Sequence, residues 1–310
     1  MRQTYEVIGG PSVGRASLPL LRATMKSLEL DGVYIPHDDE YQNEYLPACY
    51  ERLAWATGFT GSAGAAFVFQ KSAIVFVDGR YTLQVKNQLP PKMFEVADLV
   101  DLGPFGWLAK QTNLAGLKIA YDPKVISPDA LDKLVDAAKK AGAQLVAMET
   151  SPVDAAWADR PSEPTAHVVP HDIAYAGESS SSKRARLGKA MQDAKIDAAV
   201  ITSPASIAWL FNVRGGDVSR TPLPLGRAFL YSDGQAEIFL APGKVGAELG
   251  AHLGNEVSLR SANELERRMA KLQGKRVSID PGMASSWFFS ALNKAGAEIV
   301  RQQDPVMLPR

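Results

Sequence analysis

Cysteine is almost missing from this chain of 310 residues: there is one, Cys49. A single cysteine excludes an internal disulfide framework and fits a reducing compartment. No histidine lies near it in sequence, so Cys49 reads as a small, half-buried apolar side chain rather than a nucleophile. Net charge is missing too. The 34 Lys and Arg balance 34 Asp and Glu, which leaves no basic field to recruit nucleic acid or an acidic lipid surface. No apolar run approaches a membrane span, and the opening residues Met1–Glu6 have no apolar signal core behind them. What remains is 46% hydrophobic and 22% charged, the composition of a soluble globular protein with room for two domains.

The strongest positive feature is one plan written twice. Met25 followed by Asp31-Gly32-Val33-Tyr34-Ile35 is repeated as Met191 followed by Asp197-Ala198-Ala199-Val200-Ile201, both offset by 166 (191 − 25 and 197 − 31). Gly116 to Pro123 is matched by Gly274 to Pro281, and Ala141-Gly142-Ala143 by Ala295-Gly296-Ala297. These later offsets of 158 (274 − 116) and 154 (295 − 141) differ from 166 only by short loop insertions or deletions. Strands and helices mix within each copy, which predicts α/β layers with a mixed sheet.

Ser17 is placed to cap a helix carrying Leu18, Leu21, Met25 and Leu28 on one side. Val33 to Pro36 reads as a short strand and Pro47 to Thr57 as a second helix. Ala65–Phe69 and Ala73–Val77 read as a buried antiparallel pair, followed by a helix from Arg80 to Gln88. The clearest helix runs from Pro128 to Ala141, with Ser127 as cap, Gly142 as exit, and Leu131, Leu134, Val135 and Ala138 on its apolar face. Trp157-Ala158-Asp159-Arg160-Pro161 and Gly177-Glu178 with Ser179 to Ser182 have linker composition, and the boundary falls near residue 160, giving domains of 1–162 and 163–310. Asp304 to Arg310 reads as a lead-out into further chain.

The densest ionisable cluster is His37-Asp38-Asp39-Glu40 with Glu44, and a solvated, Asp-capped loop suits it better than a metal site with one local histidine. His167, His171 and His252 have no acidic partner close in sequence and read as surface or linker residues. Gly58 to Gly64 lacks the residues of a nucleotide loop and reads as a tight turn feeding a strand. Val77-Asp78-Gly79-Arg80-Tyr81 sets an Arg at the mouth of a buried strand, able to present a planar fork to a carbonyl or carboxylate, or to pair with Asp78. Trp209 to Asp217 reads as its counterpart in the second copy, with a structural Arg214–Asp217 pair.

These stretches, taken in order with Ile207 to Gly215, resemble the first two domains of the cytosolic Xaa-Pro aminopeptidases of the creatinase/prolidase group, peptidase family M24. The likeness runs from about Leu18 to Leu308. It implies two tandem creatinase N-terminal-like domains, each a mixed sheet flanked by helices, ahead of a catalytic "pita-bread" domain that is absent here. That third domain carries two Asp, one His and two Glu that hold two divalent metal ions, usually manganese. The reaction it performs removes the N-terminal residue from peptides with proline second, a bond made unusual by proline's missing N–H and fixed φ. None of those ligands can be placed on this chain, so it is expected to bind no metal and to be inactive by itself. The resemblance further implies a cytoplasmic homodimer that acts on proline-containing peptides and binds neither nucleic acid nor membrane. It gives Arg80 a contact with substrate, with Asp78 and Tyr81 in support and the His37–Glu44 loop lining the approach. The alternative is a stand-alone creatinase-like module that binds peptides or partners without hydrolysis.

Overall fold

The computed structural model describes residues 8–309; Met1–Val7 and Arg310 lie outside the described residues. The chain divides into two compact units. One comprises the chain up to Asp39 together with Ala48–Ser162, and the other Glu40–Pro47 together with the chain from Glu163 onward.

In the first unit, strands β1 (Gly32–Pro36), β2 (Gly64–Phe69), β3 (Ala73–Val77), β4 (Glu95–Asp98), β5 (Lys118–Tyr121) and β6 (Gln144–Ala147) form one sheet in the order β4-β3-β2-β1-β5-β6. The second unit continues with β7 (Val169–Pro170), β8 (Ala198–Ile201), β9 (Val213–Arg214), β10 (Gly226–Tyr231), β11 (Ala236–Leu240), β12 (Val257–Ser261), β13 (Arg276–Ile279) and β14 (Glu298–Arg301). Its sheet runs β12-β11-β10-β8-β13-β14, while β7 and β9 form a separate two-residue ribbon. The two sheets have the same wiring. β1 pairs antiparallel with β2 and parallel with β5, as β8 does with β10 and β13.

The repeated aspartates explain part of this identity. Asp31 Oδ2 accepts from the backbone N–H of Lys118 at 2.8 Å, and Asp197 Oδ2 accepts from that of Arg276 at 2.7 Å. Each carboxylate thereby pins the start of a central strand to its parallel neighbour. The repeated Ala-Gly-Ala stretches end helices Pro128–Ala141 and Ser286–Ala295 through left-handed Gly142 and Gly296, whose carbonyls accept from Gly116 and Gly274.

The inner strands of both sheets are buried on both faces and read as nearly continuous apolar runs, while the edge strands β4, β6 and β14 are partly exposed. Val33, Ile35, Ala66, Val68 and Val75 enter one core of the first unit; Tyr34, Phe67, Phe69 and Phe76 enter the other. In the second unit Ala199, Ile201, Ala228, Leu230 and Ile238 face one core, and Val200, Phe229 and Phe239 the opposite one. Each fully buried Phe or Leu contributes about 1.5–3 kcal/mol.

Several local expectations change. The first helix spans Pro11–Ser27, so Ser17 sits mid-helix and its hydroxyl donates back to the Val13 carbonyl at 2.9 Å instead of capping. Pro47 to Thr57 is a short 3-10 turn, Ala48–Tyr50, followed by the helix Arg52–Thr57. The chain after β3 likewise enters its helix Thr82–Gln88 through a 3-10 turn at Gly79–Tyr81. On helix Pro128–Ala141 the buried face is Leu134, Ala137, Ala138 and Ala141, leaving Val135 46% exposed. Gly177 to Ser182 is no linker: Gly177 ends one helix in the left-handed region and Ser179 caps the next, Ser180–Asp193. The Trp-Ala-Asp-Arg-Pro stretch is tied into the first unit. Trp157 stacks on Trp55 at 5.5 Å, and Arg160 pairs with Asp154, which also holds the buried Arg52. Asp304 and Val306, within the expected lead-out, are buried in the second unit.

Candidate functional site

The exit of β3 carries a compact polar turn. Asp78 caps the turn that follows, accepting the Arg80 backbone N–H at 2.9 Å. The same carboxylate receives Arg80 Nη2 at 2.7 Å and Nε at 3.1 Å. The guanidinium therefore lies in a fixed plane, although its side chain is 62% exposed. Hydrogen bonding from Arg80 holds the Asp78 carboxyl below the usual range. The guanidinium also sits 5.2 Å from the ring centre of Tyr81.

Tyr81 is fixed from below. Its hydroxyl is 2.9 Å from that of Ser62, and its ring meets Phe59 edge-on at 5.5 Å. Ser62 and Phe59 belong to the glycine-punctuated loop, and two of its glycines are required by this packing. Gly58 ends helix Arg52–Thr57 at φ 88°, with space for a Cβ closed by the Gly10 carbonyl at 2.3 Å. A Cβ on Gly61 would meet the Phe59 ring at 2.3 Å and the Tyr81 ring at 2.8 Å. By contrast, no atom lies within 4 Å of a Cβ built on Gly79, so close approach does not explain that glycine within this chain.

The His37–Glu44 cluster is divided between the units. His37, Asp38 and Asp39 stay with the first, and Glu40 and Glu44 belong to the second. Burial raises the carboxyl pKa values of Asp38 and Glu51, and nearby His37 opposes the shift in both. Asp39 is fully buried. In the second unit Arg227 donates to the Glu40 carbonyl and lies 3.5 Å from the Tyr41 ring centre. Among the described residues no three His, Cys, Asp or Glu side chains converge as metal ligands. The chain's own donors thus do not fit a two-metal centre, and no catalytic step is assigned to them.

Trp209 to Asp217 is not the counterpart of the β3 exit. It begins within helix Pro204–Phe211, which ends in left-handed Asn212 just as Arg52–Thr57 ends in left-handed Gly58. The expected Arg214–Asp217 pair is replaced. Asp217 binds Lys244 Nζ at 2.8 Å with both side chains buried, and Arg214 Nη1 donates to the Val213 carbonyl. Lys183 is a second interior cation. It donates to Asn212 Oδ1 at 2.7 Å and lies 4.1 Å from the Trp209 ring centre, and burial lowers its pKa.

The sequence reading did not foresee two cavities. One of about 720 Å³ in the second unit gathers His171, Asp172, Ser179, Asn212, His252 and Glu256. His252, half-buried, places a ring nitrogen 2.9 Å from the Phe211 carbonyl, and His171 packs near Tyr175; His167 remains exposed. A cavity of about 600 Å³ in the first unit is lined by Tyr34, His37, Asp38, Ser62 and Lys133 among others. Cys49 is a buried thiol.

Comparison with known proteins places this geometry among relatives. Residues 18–154 and, separately, 159–310 match families that are both described as the creatinase/prolidase N-terminal domain. A probable Xaa-Pro aminopeptidase P of Paracoccidioides lutzii is 32% identical over 246 residues, covering 78% of this chain and 40% of the relative. One from Coccidioides posadasii is 35% identical over the same length, covering 38% of the relative. The chain thus spans about two fifths of the curated relatives it matches. The crystal structure of the X-prolyl aminopeptidase of Caenorhabditis elegans, a cytosolic enzyme with a di-nuclear active site, shares the fold. Its TM-score is 0.84 at 24% identity, over 93% of this chain and 50% of that one.

Proposed function

The chain belongs to the creatinase/prolidase N-terminal domain family and carries that domain twice; from this premise we propose that it is the non-catalytic N-terminal part of an Xaa-Pro aminopeptidase. In this reading the hydrolysis of peptides with proline second takes place in a further domain that holds two divalent metal ions, manganese in the usual case. The two domains described here serve substrate access and dimerisation in the cytoplasm. The relatives' names support the reaction class. The observation that carries the role of this chain is Arg80, a guanidinium that Asp78 and Tyr81 hold in one plane while most of it faces solvent. Such a preset fork suits a peptide carbonyl or carboxylate, because little conformational freedom is left to lose on binding.

The test compares an Arg-Pro-Pro peptide, with manganese present, incubated with the 310-residue chain and with the product of the uninterrupted gene. Activity in the longer product alone is expected, with kcat/KM reduced at least about tenfold by Arg80→Ala, the effect of losing one charge-assisted hydrogen bond. Unchanged efficiency in that variant removes Arg80 from substrate contact. Absence of hydrolysis by either protein favours a stand-alone peptide- or partner-binding module.

A further inference from the structure

The cavity of the first unit lies beyond the carboxyl end of β1, whose last residue, Pro36, lines it. β1 is also where the sheet changes direction. The chain builds β2, β3 and β4 outward on one side, then crosses over to place β5 and β6 on the other. Open α/β sheets bind ligands at such switch points, outside the carboxyl ends of the strands, and about 600 Å³ is within the usual size of such sites.

Three polar groups stand on the wall. Tyr34, only 7% exposed as a residue, lines the cavity. Asp38 is exposed at the cavity wall, while the protein packed around it raises its carboxyl pKa and nearby His37 opposes that rise. Lys133, on helix Pro128–Ala141, lines the same cavity with no carboxylate in ion-pair distance among the described residues. Part of the wall is apolar, with Leu102, 40% exposed, and Phe105 among its residues.

We propose that this cavity binds a small zwitterion with an apolar side chain, a free amino acid or dipeptide. Its ammonium pairs with Asp38, its carboxylate pairs with Lys133, and its polar backbone meets the Tyr34 hydroxyl. A simple amine would leave Lys133 without an anion, and a simple carboxylate would leave Asp38 with His37 alone. The inference does not depend on the role given to Arg80.

L-Phenylalanine and the dipeptide Phe-Leu are the probes, titrated by calorimetry into the 310-residue chain. Saturable binding of at least one is expected. Asp38→Asn and Lys133→Ala should each weaken it about tenfold or more, the effect of losing one charged hydrogen bond. N-acetylation of the probe should abolish the effect of Asp38→Asn, and C-terminal amidation that of Lys133→Ala. Lys133 is exposed on a helix, so its variant keeps the fold and decides the matter even if Asp38→Asn does not. Absence of saturable binding, or binding that Lys133→Ala leaves unchanged, overturns the proposal.

Discussion

The two halves of this molecule leave the same strand in opposite ways. β3 and β11 occupy equivalent places in their sheets, each paired with its hairpin partner and each followed by a cation. After β3 the cation is Arg80, clamped at the surface by its neighbour Asp78. After β11 it is Lys244, turned inward to the buried Asp217 and to the Leu225 carbonyl. A local partner two residues away can hold a charge in solvent. A partner 27 residues away, reached through the interior, makes the charge part of the core. The duplicated scaffold therefore has one exit that presents its cation to solvent and another that buries its cation in the fold.

That contrast can be broken at its inner end first. Asp217→Ala leaves the Lys244 ammonium buried and unpaired, which should cost about 3–5 kcal/mol in denaturant unfolding. The double replacement Asp217→Leu with Lys244→Met should recover most of the loss. A loss under 1 kcal/mol for the single variant would mean that Lys244 reaches solvent and that the two exits are alike. A smaller effect comes from Gly61→Ala, whose Cβ must displace the Phe59 and Tyr81 rings. It should cost about 1–3 kcal/mol by overpacking. The same change should disturb Arg80 through Tyr81, visible as a shifted Arg80 side-chain resonance in NMR; an unmoved resonance would show that Tyr81 does not position Arg80. The smallest effect on stability is expected for Arg80→Ala, whose melting temperature should match that of the parent because exposed pairs add little. Its pH signature has a definite sign. Asp78 is held below its ordinary pKa by Arg80, so the clamp is intact above the ordinary aspartate range and is lost as pH falls through the depressed value. A side-chain NMR titration should show Arg80 released on acidification, and release on raising the pH would contradict the assignment.

Legibility in the sequence followed the range of the interaction. Helix Pro128–Ala141 was readable to the residue because its cap, first-turn proline and exit glycine are all local. The Asp78–Arg80 pair was readable for the same reason. Ser17 misled because a serine before an apolar stripe looks the same whether it caps a helix or bonds back within one. The serines after Gly177 looked like a linker because their capping role depends on where the preceding helix stops. The Asp217–Lys244 pair could not be read, since nothing near either residue names the other. The cavity around Tyr34 was hidden as well: its lining comes from β1, the glycine loop, the segment after β4 and helix Pro128–Ala141, which only the folded sheet brings together.

The segment Glu40–Pro47 has a consequence for how the duplication has aged. The chain leaves the first unit after Asp39, spends eight residues in the second beside Arg227, and returns at Ala48 before its final passage after Ser162. Two freshly copied cassettes need one seam; these are stitched by three. A piece cut at residue 162 would carry Tyr41 without the arginine that covers it, and the remainder would keep Arg227 without its aromatic lid. Exchange between relatives at that seam is therefore expected to cost the Arg227–Tyr41 contact unless both copies move together.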